Sequence, residues 1–188
     1  MGLDHARLLQ FRPMIAKGLI VVIATILAVL VLAAIKPDTL QIQRSITIQA
    51  PPEKIFPLIN DLHQWSRWQE QFQDSSIKQT FSGSNSGVGA ASNWEGSGPA
   101  GKGQMLITGS VPFSGISVTV DFTRPFAAHN LNNFALEPDG NSTRVVWNWQ
   151  GSNAYFMKLM GVFVNMDRMI GKHFETSLAN LKTLAERP

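Results

Sequence analysis

Histidines, carboxylates and hydroxyls are the side chains through which this sequence could carry out catalysis, and their spacing predicts no preassembled site. No serine lies in a G-x-S-x-G turn, so a Ser-His-Asp triad is not indicated. The absence of cysteine excludes thiol nucleophiles, disulfides and Cys-ligated metals. No H-E-x-x-H or comparable cluster is present. We therefore predict no catalytic residue, no metal site and no cofactor.

Two of the four histidines have spacings that bear on function. His63 lies beside Trp65 and Trp68 in a predicted turn, where a surface or capping role is expected. His173 lies one step from the apolar stripe of a predicted C-terminal helix, so it could face the mouth of a cavity. A histidine at the boundary of the core, hydrogen-bonded to solvent, is the interpretation that we favour for His173.

Glu95 and Asp121 are the carboxylates that would matter most if they faced an apolar cavity. Burial would raise their pKa values and would suit them to general acid or base catalysis. Strand alternation places Asp121 opposite Val120 and Phe122, and it places Glu95 opposite Trp94. We therefore predict that both carboxylates form ion pairs on the outer face of a sheet.

The elements that position these residues are a series of strands and a long C-terminal helix. Leu40–Ala50 alternates apolar and polar residues, as does Gly115–Phe122, which is typical of half-buried strands. Further strands are predicted at Gln69–Gly83, Gly103–Val111, Asn130–Glu137 and Ser142–Gln150. Pro51-Pro52 opens a short helix, and a second helical turn carries Trp65 and Trp68. The glycine-rich segment Ser82–Gly103 contains Trp94, which favours tight hairpins around a short strand over a flexible linker.

The C-terminal segment Tyr155–Arg187 predicts one long helix, with a break near Gly161 as an alternative. Its apolar residues recur at steps of three and four, which places them on one stripe of a helix. They are Phe163, Met166, Ile170, Phe174, Leu178, Leu181 and Leu184. A helix with one apolar stripe needs a partner surface, and the inner face of the predicted sheet supplies one.

The N-terminus contains Gly18–Ile35, which is 18 residues without a charge. As a helix it would span about 27 Å, close to the hydrocarbon thickness of a bilayer. A cleavable signal peptide remains an alternative because Val31-Leu32-Ala33 has cleavage-like spacing, but the long apolar run and the 17-residue lead favour an uncleaved anchor. A buried helix of a soluble domain fits least, since the run has no polar face.

Charge is distributed unevenly between the N-terminus and the rest of the chain. Residues 1–36 carry four basic residues and one acidic residue, which accounts for the net charge of +3. The remainder has 12 basic and 12 acidic residues, so it lacks the basic surface typical of nucleic-acid binding. Arg7, Arg12 and Lys17 precede the apolar run, which predicts a cytoplasmic N-terminus and an exported domain, periplasmic or extracellular.

We divide the chain accordingly into four parts. They are a cytoplasmic lead at 1–17, a transmembrane anchor at 18–36 (its apolar span 18–35), a tether at 37–39 and a folded domain at 40–188.

The domain resembles the START-like, or SRPBCC, superfamily, and within it the polyketide cyclase/dehydrase and lipid-transport branch. The resemblance rests on diffuse patterns over nearly the whole chain after Leu40. The segments that carry it are RSITIQAPPEKIFPLINDLHQWSRW (Arg44–Trp68), GVGAASNWEGSGPAGKGQMLIT (Gly87–Thr108), TRVVWNWQG (Thr143–Gly151) and FETSLANLKTLAE (Phe174–Glu186). The N-terminal anchor lies outside this resemblance.

The resemblance implies an α+β helix-grip fold. A curved antiparallel sheet of six to seven strands would wrap a long C-terminal helix, with two short helices after the first strand. It also implies a cavity for an apolar small molecule or lipid. The residues that we expect to line it are Trp94, Phe122, Phe134, Trp147, Trp149, Met166, Ile170 and Phe174.

Three functions remain open at this point. The favoured one is membrane-anchored binding of a lipid or isoprenoid-like ligand without catalysis. The first alternative is an enzyme of the cyclase or dehydratase type that uses a carboxylate or histidine in the cavity. The second is a non-catalytic scaffold whose own side chains fill the cavity. The sequence does not predict the oligomeric state.

Overall fold

The computed structural model describes residues 3–97 and 100–187, which form two compact units. One unit contains the chain up to Asp38 together with Asn153–Asn165. The other contains Thr39–Ser152 together with the chain from Met166 onward. The start of the predicted cytoplasmic lead and Pro188 lie outside the described residues.

The second unit is built on a seven-stranded, curved antiparallel sheet, as the sequence predicts. The strand order is β1-β7-β6-β5-β4-β3-β2, so the first strand pairs with the last. The strands are β1 Thr39–Ile48, β2 Lys78–Gly83, β3 Ala90–Glu95, β4 Lys102–Val111, β5 Gly115–Arg124, β6 Ala128–Asp139 and β7 Ser142–Ser152. Between β1 and β2 lie helix α2, Pro52–Asn60, and two 3₁₀ turns at Leu62–Arg67 and Glu70–Gln73.

The predicted C-terminal helix is confirmed as a helical segment, but it is interrupted. It forms α3, Tyr155–Phe163, and α4, Met166–Ala185. The break falls after Phe163, where Val164 adopts an extended backbone, rather than near Gly161. Phe163 consequently does not continue the buried stripe, because its side chain is 73% exposed.

The core of the sheet unit lies between the inner face of the sheet, α2, the 3₁₀ turns and α4. Trp65 and Trp68 are fully buried and contact Phe134 edge-on, with ring centroids 5.9 Å and 6.2 Å away. Their indole N–H groups donate to backbone carbonyls of α2, at Ile59 and Leu58. Large aromatic surfaces are therefore buried here without leaving a polar atom unpaired.

Arg44 of β1 joins the sheet to α4. Its guanidinium donates to Glu175 (2.7 Å) and to both the carboxylate and the backbone carbonyl of Asp167. A Cβ at Gly171 would overlap the guanidinium, so the absence of a side chain at this buried helical position makes room for the ion pair.

The first unit consists of α1, Leu3–Ala34, and α3. The two helices pack together, and the Tyr155 hydroxyl donates to the backbone carbonyl of Leu30 (3.2 Å). Lys158 is buried and its amine pairs with Asp38. The hydrogen bond holds the pKa of the Asp38 carboxyl below its usual value, because it stabilises the ionised form.

Candidate ligand pocket

A pocket of about 550 Å³ lies within the sheet unit. Its walls come from the inner face of β3 to β7, from one side of α4, and from the 3₁₀ turn at Glu70–Gln73. A volume of this size is within the range of small-molecule sites. The strands contribute to the wall at alternate positions because successive side chains of a strand point to opposite faces.

Aromatic rings form most of the apolar wall. Trp94 contacts Phe122 edge-on, with ring centroids 5.1 Å apart. Trp147 stacks on Phe174, with centroids 4.2 Å apart and planes 21° apart. These contacts fix the rings relative to one another, so the wall is formed before any ligand arrives.

Six of the eight residues predicted to bind a ligand line this pocket. They are Trp94, Phe122, Trp147, Trp149, Ile170 and Phe174. Phe134 and Met166 are buried elsewhere, and they are not part of the wall. Trp65 and Trp68 contact the Phe134 ring, which explains its position in the core. The binding role of the other six stays a prediction.

Two glycines give the pocket tryptophans their positions. A Cβ at Gly103 would overlap the indole ring of Trp94, which comes from the neighbouring strand. A Cβ at Gly151 would overlap the ring of Trp149, two residues earlier on the same strand. Both rings therefore lie across glycine positions of the sheet, where any larger residue would push them away.

Three buried polar residues also line the pocket, and the sequence analysis does not single them out. Asn132 accepts a hydrogen bond from the indole N–H of Trp147 (2.9 Å). Ser177 of α4 accepts one from the backbone N–H of Glu70 (3.0 Å). Asn130 is buried two residues before Asn132 on β6. In the sequence, the two asparagines are marked only by their spacing: with Phe134 and Leu136 they occupy every second position of β6, which predicts that they share its inner face.

The titratable lining residues lie at exposed positions along the pocket. His173 lies at the pocket wall with its side chain 68% exposed, as expected for a histidine at the boundary of the core, and its Nδ1 lies 2.8 Å from a carboxylate oxygen of Glu70. Asp74 accepts a hydrogen bond from the backbone N–H of Ser76, which lowers the pKa of its carboxyl.

The carboxylates considered for catalysis face away from the pocket. Glu95 pairs with Lys102 and with Arg124, and these hydrogen bonds lower the pKa of its carboxyl. Asp121 pairs with His129, and both side chains are more than half exposed. The predicted ion pairs are confirmed for Glu95, whereas Asp121 is hydrogen-bonded to a histidine, and neither carboxylate lines the pocket.

Comparison with known proteins supports the helix-grip architecture. Residues 39–186 match the sequence profile of a family described as polyketide cyclase / dehydrase and lipid transport. The chain belongs to this polyketide cyclase, dehydrase and lipid-transport family. The matched range begins with β1 and ends just after α4, so α1 lies outside the family region. Membership in this family favours binding of a hydrophobic ligand.

Solved structures similar to this family member share its fold at low sequence identity. Protein CV1439 from Chromobacterium violaceum is 17% identical with a TM-score of 0.57, covering 81% of this chain and all of its own. A protein from Nitrosospira multiformis is 18% identical with a TM-score of 0.57, and the match covers 77% of this chain and 94% of that protein. The Aha1 dimer from Colwellia psychrerythraea is 21% identical with a TM-score of 0.52, and the match covers 78% of this chain and 96% of the Aha1 chain. No curated protein sequence matched the chain.

Proposed function

We propose that this protein is a membrane-anchored binding protein that holds a lipid or isoprenoid-like molecule in the pocket of its sheet unit. The observation that carries this proposal is the aromatic pocket itself. Its volume of about 550 Å³ and its apolar wall suit a hydrophobic molecule, and the family favours the same class of ligand. The Glu95 and Asp121 carboxylates face away from it, and the titratable pair that does line it, His173 with Glu70, is 68% and 38% exposed rather than buried in the apolar wall.

The long helix α1 supports the proposed anchor. Its segment Lys17–Ala34 has a mean hydropathy of 2.7, and only 6% of it is buried in protein. A soluble protein would hide such a surface, because exposing a contiguous apolar helix to water is unfavourable. A signal sequence passes the same test of length and composition, so the experiment below also measures whether the segment is retained.

Helix α3 supplies a second apolar surface in the same unit. Phe156, Met160 and Phe163 are spaced by four and three residues, which places them on one face of the helix, and all three are exposed. The only charge on α3 is Lys158, which is buried against Asp38. Because α3 packs on α1 near Leu30, we propose that this face lies in the lipid at the membrane interface.

The orientation that we propose rests on the charges on either side of the apolar segment Gly18–Ile35. Three basic residues precede the apolar segment, whereas Lys36 is followed closely by Asp38. We propose that the lead at 1–17 is cytoplasmic, that 18–36 crosses the membrane, and that the tether at 37–39 leads to an exported domain at 40–188. A tether of this length would keep the domain close to the membrane surface.

Native mass spectrometry of the full-length protein, extracted from membranes in mild detergent, tests both parts of the proposal. We expect the intact mass of the 188-residue chain together with an adduct of lipid size. A mass lacking the first 33 or so residues would contradict the uncleaved anchor. An intact chain that neither carries a lipid nor takes one up on incubation would contradict the binding function.

A further inference from the structure

The pocket contains two amide side chains whose hydrogen-bonding capacity the protein leaves largely unused. Asn130 and Asn132 occupy successive inward positions of β6, and they are 5% and 4% exposed. Both line the pocket. The next inward positions of the strand are apolar, at Phe134 and Leu136. The inner face of β6 is therefore polar only where it borders the cavity.

The orientation of the Asn132 amide is fixed by its partner. An indole N–H can only donate, so the atom that faces Trp147 must be the oxygen Oδ1, at 2.9 Å. The Nδ2 amide group then points away from Trp147, and it has no protein partner among residues 3–97 and 100–187. Asn132 thus offers two N–H donors to whatever occupies the pocket.

Asn130 is less engaged still. Its side chain has no hydrogen-bond partner in the part of the chain that the structure describes. In that same part, every side-chain nitrogen or oxygen that is inaccessible to solvent has a hydrogen-bond partner. Because the Asn130 amide has no partner, it must be accessible, and the space that it borders is the pocket. A Cβ at Gly151 would overlap the Oδ1 of Asn130, so the amide can occupy this position only because residue 151 has no side chain. A nearly buried amide without a partner is unfavourable unless a ligand or water satisfies it.

Charge restricts what that ligand can be. No lysine or arginine side chain is among the described residues that line the pocket. The titratable residues that line it are Glu70, Asp74 and His173, and His173 Nδ1 is paired with Glu70, so the carboxylates disfavour an anionic headgroup. A carboxylate or phosphate brought to Asn130 would therefore be desolvated without a lysine or arginine to compensate it.

We infer that the ligand is an uncharged amphiphile with one hydrogen-bond-accepting group, such as an alcohol or an ester. That group binds between the amides of Asn130 and Asn132, and the apolar body contacts Trp94, Phe122 and Trp149. This inference rests on the proposed binding function and narrows its ligand from hydrophobic molecules in general to neutral polar lipids. Alkanes lack the acceptor, and free fatty acids carry the wrong charge.

The test uses four molecules with the same chain length: hexadecane, hexadecanol, methyl palmitate and palmitate. Full-length protein in mild detergent is equilibrated with a subsaturating mixture and separated from empty micelles. The retained molecules are then extracted and quantified. Asn130→Leu removes the free amide, while Asn132→Asp keeps an oxygen for Trp147 but removes the donors. Asn148→Leu, on the outer face of β7, is the matched control.

We expect both pocket variants to reduce retention of the alcohol and the ester by roughly two- to tenfold, the range of a neutral hydrogen bond. Hexadecane retention should not change, and the control variant should match the wild type. Comparing each variant with the wild type for the same molecule cancels partition into micelles. Circular dichroism melting confirms that each variant is folded.

Other results would overturn the inference. If the alcohol, the ester and hexadecane respond equally to the variants, or if palmitate is preferred, the amides do not select a neutral acceptor, although the pocket still binds apolar molecules. If no molecule is retained above the micelle blank, the inference and the proposed binding function fail together.

Discussion

At the scale of single residues, the ion pair between Arg44 and Asp167 makes stability depend on pH. The Arg44 side chain is 19% exposed and the Asp167 side chain 54%. The hydrogen bond from Arg44 lowers the pKa of the Asp167 carboxyl in the folded state. The folded protein therefore binds a proton at Asp167 less readily than the unfolded chain does. The resulting stabilisation is present above the usual aspartate pKa of 3.8 and is lost as the pH falls through the lowered folded value.

We predict that Asp167→Asn lowers the stability of the protein at neutral pH, by no more than about 1 kcal/mol because solvent screens the pair. The difference from the wild type should shrink as the pH falls below 3.8. The midpoints of denaturant unfolding of both proteins across this pH range measure this difference in stability. Asp139→Asn, at the exposed end of β6, is the matched control. A difference that stays constant down to the lowest pH would show that Asp167 acts through packing rather than charge.

At the scale of elements, alternation and helical periodicity are sufficient to predict the strands and the C-terminal helical segment. The lining of the pocket is harder to predict, because Phe134 and Trp149 both occupy inward strand positions. Trp65 and Trp68 cover Phe134, while Trp149 stays half-buried beside the pocket. That difference depends on how a turn far along the chain packs against the sheet. Strand spacing does not encode this packing, nor does it distinguish a buried Asn130 from an exposed polar residue.

The contact between α4 and β1 gives a prediction about Gly171. Glycine inside a helix is normally less stable than alanine by about 1 kcal/mol. At Gly171, however, a methyl group would displace the Arg44 guanidinium from Asp167 and Glu175. We therefore expect Gly171→Ala to destabilise the wild type by no more than about 1 kcal/mol, because the loss of two solvent-screened ion pairs is partly offset by the higher helix propensity of alanine.

The double-mutant cycle with Arg44→Ala separates the two effects. Without the guanidinium, Gly171→Ala should stabilise the protein by about 0.5–1 kcal/mol through helix propensity alone. Thermal or denaturant unfolding of the four proteins measures the coupling. Equal effects of Gly171→Ala with and without Arg44 would show that the glycine does not serve the ion pair.

At the scale of the whole molecule, the membrane proposal makes specific residues of α1 and α3 contact lipid. The chain has no cysteine, so a single introduced cysteine can be labelled at any chosen position. The informative positions are Met160 and Phe163 on the exposed face of α3, which are 40% and 73% exposed to solvent in the protein alone. Val21 in α1 serves as a reference for lipid exposure, and Asn141 in the β6–β7 turn serves as a reference for water.

In phosphatidylcholine nanodiscs, a polarity-sensitive fluorophore at Met160→Cys or Phe163→Cys should have a blue-shifted emission, as at Val21→Cys. Nitroxide-bearing lipids should quench it, because the apolar face of an interfacial helix is buried below the headgroups. The label at Asn141→Cys should be neither shifted nor quenched. If the α3 positions resemble Asn141 while Val21 is quenched, then α1 alone contacts the bilayer. The exposed side chains of Met160 and Phe163 would then require another partner, because a contiguous apolar surface of this kind is unfavourable in water.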